Sequence, residues 1–294
     1  MTRILALLLC LLAAAPALAQ PSYEEAVLLY EDKDYKGARD IAEAAAKKGD
    51  ARAMTMLGLF YQKGLGVAAD LNKAVDWYAQ AAEKNNLDAQ YALAEIYLGG
   101  ALGEADVERG RYWLIKAAAQ GRPEAEHRLG LLAAGDTPPD WTAAADWFRK
   151  AAAQDYSDAQ YNLGVLYAEG RGVEQSKIKA GEWFARAAMK GHADAALDYG
   201  IMVFRGDGVK KDEKVGAQWL LVSAKRGNPV AQNRVARLYA TGRVFPVDPA
   251  EAIKWHILAR SGGRSDAWLD DFTARLPQAA KAEGEKRARD FKPG

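Results

Sequence analysis

The chain has 294 residues, of which 50% are hydrophobic and 27% charged, a composition that excludes a disordered polypeptide and supplies ample material for a core. Forty basic and thirty-nine acidic residues give a formal net charge of +1, which offers no general attraction for nucleic acid or an anionic membrane. The single cysteine, Cys10, excludes a disulfide framework and a multi-thiolate metal site.

The first nineteen residues have the pattern of a secretory signal peptide. Arg3 provides the positive charge, residues 4–12 form an apolar run, and Ala17 and Ala19 form a small-residue cleavage site. The alternative, a transmembrane anchor, requires a longer apolar run. We therefore predict residues 1–19 to be a signal peptide cleaved after Ala19, a periplasmic or secreted mature protein without cysteine, and no integral membrane insertion after cleavage.

Residues 20–50 contain a weak pattern of two helices. Small and apolar residues recur at helical spacing first at Ala26, Leu29 and Tyr30, and then at Ala38 and Ala45. This segment is predicted to be an N-terminal capping helix pair.

Residues 51–265 are dominated by a repeat of 36 residues. Six of the eight tryptophans follow this period, with one step shortened to 34 residues, and an alanine ladder keeps the same step. These tryptophans are Trp77, Trp113, Trp147, Trp183, Trp219 and Trp255, and the ladder alanines are Ala53, Ala89, Ala125, Ala159, Ala195, Ala231 and then Ala267. Such a period predicts a solenoid of about six repeats, each built from two helices.

Each repeat has a first helix that contains the ladder alanine and a second helix that contains the tryptophan. Counted from the ladder alanine, positions +4, +7 and +8 are apolar, as in Leu57, Phe60 and Tyr61, and share one helix face. Position +5 is always Gly or Ala, which predicts close approach of the neighbouring helix backbone. Asp70, Asn228 and Asp248 are predicted helix N-caps.

Glycine-rich turns join the two helices of several repeats, at residues 64–67, 170–173 and 206–209. A phosphate-binding loop is the alternative for such turns, but these follow helices and lack the Gly-Lys-Ser/Thr ending. Three turns depart from the pattern, at residues 99–103, 135–139 and 242–247, and are predicted to be reshaped.

The segment AQYNLGVLYAEGRGV at 159–173 and the segment KAVDWYAQAA at 73–82 resemble the Sel-1-like repeat (SLR) family, which is related to tetratricopeptide repeats. The resemblance spans about residues 51–265. It implies an all-α fold, a right-handed α/α solenoid of helix-turn-helix repeats, and a function in protein–protein contacts.

Residues 266–294 follow the last repeat. Ala267 is predicted to start one more first helix, through Leu269 and Phe272, that stops at Pro277. Residues 278–292 carry mixed charge and are predicted to be a charged helix or a frayed tail. Together the segment is assigned as a C-terminal capping helix and charged tail.

No residue constellation points to catalysis, a metal or a cofactor. The sequence has no nucleophile elbow, dinucleotide-binding fingerprint or Walker motif, and no histidine has a second one at the spacing of a zinc motif. His256 is predicted to be packed, and His192, in a turn, to be exposed. We therefore predict a protein that is not an enzyme and needs no cofactor.

The best functional candidate is the concave face that first helices line in tetratricopeptide arrays. By resemblance, the partner-binding positions are −1, +2, +6 and +9 from the ladder alanine. They form a partly apolar trough with an acidic margin, which suits a protein or peptide partner with apolar anchors and some basic residues. Packing between adjacent repeats is the alternative use of these positions. The predicted residues are Tyr91, Glu95, Leu98, His127, Leu131, Asp158, Tyr161, Val165, Asp194, Leu197, Ile201 and Phe204.

The function predicted from the sequence is that of an exported protein-binding scaffold or adaptor. A first alternative is a periplasmic regulator that binds the outer domain of a membrane sensor. A second, implied by cysteine-rich relatives linked to β-lactam hydrolysis, is a hydrolase, although the predicted mature chain lacks cysteine. A cell-wall glycan is a further possible ligand for exposed aromatic residues.

Overall fold

The computed structural model describes residues 22–293, so the predicted signal peptide lies outside the described residues. Within this range all regular secondary structure is α-helical, with sixteen helices and no strand, which confirms the predicted all-α repeat fold. No helix in the described range is long and apolar enough to cross a membrane. The chain divides between Ala117 and Ala118 into two compact units, unit 1 and unit 2.

Unit 1 is a stack of helices in which each helix packs against the next one along the chain from α1 to α5. Its core includes Leu57, Phe60, Tyr78 and Leu93, all of them almost completely buried. The helices are α1 (Tyr23–Glu31), α2 (Tyr35–Lys47), α3 (Ala51–Lys63), α4 (Leu71–Glu83), α5 (Leu87–Leu98) and α6 (Val107–Ala119), the last of which contains the division between the units.

Unit 2 continues the same alternation of first and second helices. The helices are α7 (Pro123–Gly135), α8 (Trp141–Ala153), α9 (Ser157–Glu169), α10 (Lys177–Met189), α11 (Ala193–Arg205), α12 (Glu213–Lys225), α13 (Pro229–Thr241), α14 (Pro249–Ser261), α15 (Ala267–Ala274) and α16 (Gln278–Asp290). The tightest pairs join the first and second helix of one repeat, such as α11 with α12.

The first helices of the six repeats begin at equivalent residues, two before the ladder alanine, and the N-cap residue is three before it. Asn228 accepts a hydrogen bond from the backbone N–H of Ala231, as predicted for an N-cap. Asp70 and Asp248 cap the second helices α4 and α14 in the same way. Because the ladder alanine is thus in the first turn, its small side chain is fully buried against the stack in all six repeats.

The residue after each periodic tryptophan is buried in all six repeats. These residues are Tyr78, Leu114, Phe148, Phe184, Leu220 and His256. The tryptophans themselves are half-buried, except Trp255, which is 1% exposed. The prediction that His256 is packed is therefore confirmed, and it occupies the place of an apolar core residue.

The small residue at position +5 makes room for that buried side chain. A Cβ atom on Gly58, Gly130 or Gly164 would lie within 2.7 Å of the ring of Tyr78, Phe148 or Phe184 respectively. At Gly200, by contrast, the nearest atoms are two backbone atoms of α12 and the Cβ atom of Trp219, all at 3.1 Å. The predicted approach of a helix backbone is therefore correct at Gly200, whereas an aromatic ring occupies the space at the other three glycines.

The glycine-rich turns end the first helices and pack on the preceding repeat. Gly170 closes α9 in the left-handed conformation, with φ of 73°. Gly172 also has a positive φ, and a Cβ atom there would lie 2.1 Å from the carbonyl oxygen of Trp141, at the start of α8. The second glycine thus allows the turn to touch the backbone of the previous repeat, a structural role that replaces the phosphate-loop alternative.

Two of the three turns predicted to be reshaped lack the left-handed glycine at the helix end. The residue after α5, Gly99, is right-handed, and the residue after α7, Asp136, is extended. The third turn keeps a left-handed Gly242, but Val244 has a φ of 74° and Phe245 is buried against Tyr239, with ring centroids 4.8 Å apart. This turn closes the end of α13 with an aromatic side chain.

The segment after the last repeat does not keep the ladder. Ala267 is exposed and is the first residue of α15, whereas Leu269 is fully buried in the third position of that helix. The helix α15 starts at Ala267, as predicted, but Leu269, two residues later, takes the buried place of a ladder alanine. Residues 278–290 form the helix α16, which packs on α14, and Phe291 covers Trp255 with an edge-on ring contact of 5.2 Å.

Candidate partner-binding surface

The first helices of unit 2, α7, α9, α11 and α13, carry most of the predicted groove residues, and we call their shared surface the first-helix face. Hydrogen bonds between the first helices of successive repeats define this face. The amide of Asn162 in α9 donates to Nε2 of His127 in α7 at 2.8 Å, and Tyr161 in α9 donates to the carboxylate of Asp198 in α11 at 3.4 Å. Position +2 of one repeat thus contacts position +3 of the next.

The aromatic groove residues at position +2 are used in packing between repeats. His127 lies against Tyr156, with ring centroids 5.2 Å apart, and Tyr161 stacks on His192 at 4.5 Å. Burial lowers the pKa of His127 and, together with nearby Asp198, raises the pKa of Tyr161, so both rings are neutral at physiological pH. At these two positions the structure favours packing over ligand contact.

Tyr156 and His192, whose rings contact His127 and Tyr161, are the N-cap residues of α9 and α11. The ring nitrogen Nδ1 of His192 accepts the backbone N–H of Ala195, and its side chain is only 16% exposed. The prediction that His192 is exposed is therefore wrong, because the ring both caps α11 and supports Tyr161. Leu197, the predicted groove residue in α11, is 9% exposed and belongs to the core.

The acidic residues at position −1 lie at the starts of the first helices and are exposed. Asp158 is 3.7 Å from Nε2 of His192, and Asp194 accepts a hydrogen bond of 2.6 Å from the side chain of Asn228. Both carboxylates therefore contact the next repeat, and both remain open to solvent on the margin of the first-helix face.

The groove residues at positions +6 and +9 line two open pockets in unit 2. The first pocket, about 440 Å³, lies between α9 and α11 and includes Val165 and Ile201. The second, about 390 Å³, lies between α11 and α13 and includes Ile201 and Phe204. Because Ile201 lines both, the pockets adjoin and form one apolar strip. Leu131 in α7 is also exposed, at 38%.

The three groove residues predicted in unit 1 are arranged differently. Tyr91, Glu95 and Leu98 in α5 are half-buried, and Leu98 packs on Gly110 of α6. The pocket of unit 1, about 520 Å³, lies instead between α1, α3 and α5 and is lined by residues such as Val27, Leu59 and Asp88. The three predicted residues do not line it.

Sequence reasoning missed the charged residues of the first-helix face. Asp198 and Arg234 occupy position +3, and Arg205 occupies position +10, on the same helical stripe as positions +6 and +9. Burial raises the pKa of Asp198. The spacing of 3.6 residues per turn could have placed them on this face, since it groups +2 and +3 with +6, +9 and +10.

No three potential metal ligands of the His, Cys, Asp or Glu type converge anywhere in residues 22–293. His256, the buried histidine of α14, is held by Asp270 of α15, whose Oδ1 is 2.9 Å from Nε2 and also accepts from Arg260. Asp270 therefore ties α15 to two side chains of the preceding repeat.

Comparisons with known proteins agree with this architecture. The family described as Sel1 repeat matches six segments, residues 51–86, 87–121, 123–156, 157–192, 193–228 and 229–263. A Sel1 repeat protein from Oxalobacter formigenes is 31% identical and matches with a TM-score of 0.73, over 82% of this chain and 100% of its own. The c5321 protective antigen of uropathogenic Escherichia coli strains, which displays an SLR fold, is 25% identical with a TM-score of 0.55, over 92% of this chain and 69% of its own. No curated protein matches the chain.

Proposed function

Because the chain belongs to the Sel1 repeat family, we propose that it is an exported, non-enzymatic scaffold or adaptor that binds another protein or peptide on its first-helix face. Export rests on the signal-peptide pattern of residues 1–19. The binding site would be the predicted concave groove, reduced to the positions that do not pack between repeats.

The observation that carries the proposal is the apolar strip formed by the two adjoining pockets of unit 2. Val165, Ile201 and Phe204 are half-buried and line the two open pockets, and Ile201 and Phe204 also pack against the core of unit 2. A contiguous apolar strip with polar margins on a folded protein is typical of a partner-binding surface. Its position on successive helices would let an extended or helical segment contact several repeats at once.

Paired variants test the proposal. Ile201→Ser with Phe204→Ser removes the apolar strip, and Ile178→Ser in α10 is the matched control, since Ile178 is 63% exposed and lines neither pocket. The mature protein and both variants are immobilised and used to capture proteins from the envelope fraction of the source cells. We expect one set of bound proteins for wild type and control, and its loss with the double variant at an unchanged melting temperature.

Two results would contradict the proposal. If the double variant retains the same proteins, binding does not use the first-helix face. If the double variant unfolds, the apolar strip is part of the core, and photo-crosslinking from Leu131, which is 38% exposed on the same face, decides whether a partner contacts it. Amino-terminal sequencing of the envelope protein tests export, for which the expected first residue is Gln20.

A further inference from the structure

The pocket between α11 and α13 combines an apolar floor with a basic wall, and we call it the arginine pocket. Ile201, Phe204, Leu220 and Leu238 form the floor. Four arginines form the wall, namely Arg205, Arg234, Arg237 and Arg243. The whole chain carries a formal charge of only +1, so this concentration of guanidinium groups is a local feature.

Two of the arginines are fixed in place by carboxylates. Arg237 makes two hydrogen bonds of 2.7 Å to the two oxygens of Asp266, and Arg243 makes two, of 3.0 and 3.2 Å, to Glu213. The guanidinium of Arg243 also lies over the ring of Phe204, 4.8 Å from its centroid. Such paired arginines form a rigid rim that loses little conformational entropy when a ligand binds.

The other two arginines form no ion pair with any residue in the described range. The Nε atom of Arg234 is buried and has no hydrogen-bond partner there. Burial lowers the pKa of Arg234, and the positive charges of Arg205 and Arg264 lower it further, while Asp198 opposes them. The positive charges here are the five guanidinium groups of Arg205, Arg234, Arg237, Arg243 and Arg264. The negative charges are the three carboxylates of Asp198, Asp266 and Glu213, so the local excess is two positive charges.

Arg205 is exposed and Arg234 is half-buried, and both line the pocket without a carboxylate of the described residues paired to them. Carboxylates are suitable ligands, because charge-assisted hydrogen bonds to arginine are among the stronger ones in proteins. The apolar floor, in turn, fits a large aliphatic or aromatic side chain, since the pocket volume of about 390 Å³ exceeds that of one such group.

We propose that the arginine pocket binds an acidic peptide segment of the partner, with a large apolar side chain on the floor and flanking carboxylates on Arg205 and Arg234. The inference rests on the proposed function and names the chemistry of the partner. An acidic segment is opposite in charge to the partner with basic residues that the acidic margin predicts. A peptide fits better than a nucleic acid, because the aliphatic side chains of the floor suit an apolar side chain, and the chain as a whole is nearly neutral.

The test measures fluorescence anisotropy of the mature protein with three labelled peptides. The first is Asp-Glu-Leu-Phe-Glu-Asp, the second replaces the four acids by lysine, and the third replaces Leu-Phe by Ala-Ala. Protein variants are Arg205→Gln with Arg234→Gln, and Arg186→Gln as control, since Arg186 is exposed on α10 and lines neither pocket. We expect binding of the first peptide alone, weakened roughly tenfold or more by the double variant, unchanged by the control and reduced by added salt.

Other outcomes overturn the inference. Equal binding of the acidic and lysine peptides, lost in the Ile201→Ser and Phe204→Ser variant, shows an apolar site without charge preference and leaves the proposed function standing. Equal competition by a single-stranded DNA of the same charge shows a general anion site. If the acidic peptide does not bind at about millimolar concentration, the partner is not acidic, and envelope capture decides the proposed function independently.

Discussion

Gly164 provides a direct test of how each repeat is packed. A Cβ atom at this position in α9 would lie 2.7 Å from two ring carbons of Phe184 and 3.4 Å from the carbonyl oxygen of Ala180. The ring cannot easily move, because Phe184 is 4% exposed and Tyr161 packs against it with centroids 5.6 Å apart. Gly164→Ala is therefore expected to overpack the interface between α9 and α10.

The expected magnitude is the difference between two opposing effects. Overpacking a well-packed core costs about 1–3 kcal/mol, and a Cβ atom 2.7 Å from a ring held in place puts Gly164 in the upper part of that range, at about 2–3 kcal/mol. Replacing glycine by alanine in a helix interior gains about 1 kcal/mol. A net loss of roughly 1–2 kcal/mol follows, which corresponds to a melting temperature lower by about 2–8 °C for a unit of this size. Thermal unfolding followed by far-ultraviolet circular dichroism measures it.

Two further variants make the test specific. Gly164→Ala combined with Phe184→Leu should recover most of the loss, because the chain itself pairs alanine with leucine at the equivalent Ala94 and Leu114. Gly135→Ala is the control, since a Cβ atom there meets nothing within 4 Å. If Gly164→Ala is as stable as wild type, the ring does not restrict this position and the reasoning is refuted.

Three other predictions concern single contacts. Gly172→Ala should destabilise more than Gly121→Ala, since both have a positive φ but only Gly172 meets a neighbouring backbone; equal urea midpoints would contradict the close approach. Arg237 holds the pKa of Asp266 well below its usual value, so this carboxylate stabilises the fold above about pH 4 and less as the pH falls. Asp266→Asn should therefore lower the melting temperature at pH 7, and the difference from wild type should shrink towards pH 2; a constant difference would refute the ion-pair explanation. Removing residues 278–294 uncovers Trp255 and should speed hydrogen exchange throughout α14, whereas unchanged exchange would show that α16 does not stabilise it.

The fold could be predicted because its signals occur six times. The ladder alanine, the capping residues and the small residue at position +5 each recur with the period, so an error in one copy is corrected by the others. Where a feature occurs once, prediction failed. The shift of two residues between Ala267 and Leu269 follows from a longer loop before α15, and a ladder counted from the earlier repeats does not reveal it.

The candidate site could be predicted only in part. Tyr161 and Val165 are similar sequence signals for an exposed groove and both line the pocket between α9 and α11, but the ring of Tyr161 is also stacked on His192 at the start of α11. The difference depends on a side chain about thirty residues away, which local periodicity does not report. Arg205 and Arg234 were missed because positions +10 and +3 are not among the positions that the tetratricopeptide resemblance selects.

Two kinds of contact hold these repeats together, and they restrict rearrangement differently. The pairing of Gly164 with Phe184 lies inside one repeat, so a repeat moved as a block would carry its own core with it. The hydrogen bonds from Asn162 to His127 and from Tyr161 to Asp198 join one repeat to its successor. An exchanged block would meet a mismatched neighbour at both seams. The contacts at the junctions therefore depend on the linear order of the repeats, and a permuted chain would need those hydrogen-bonded pairs to be redesigned.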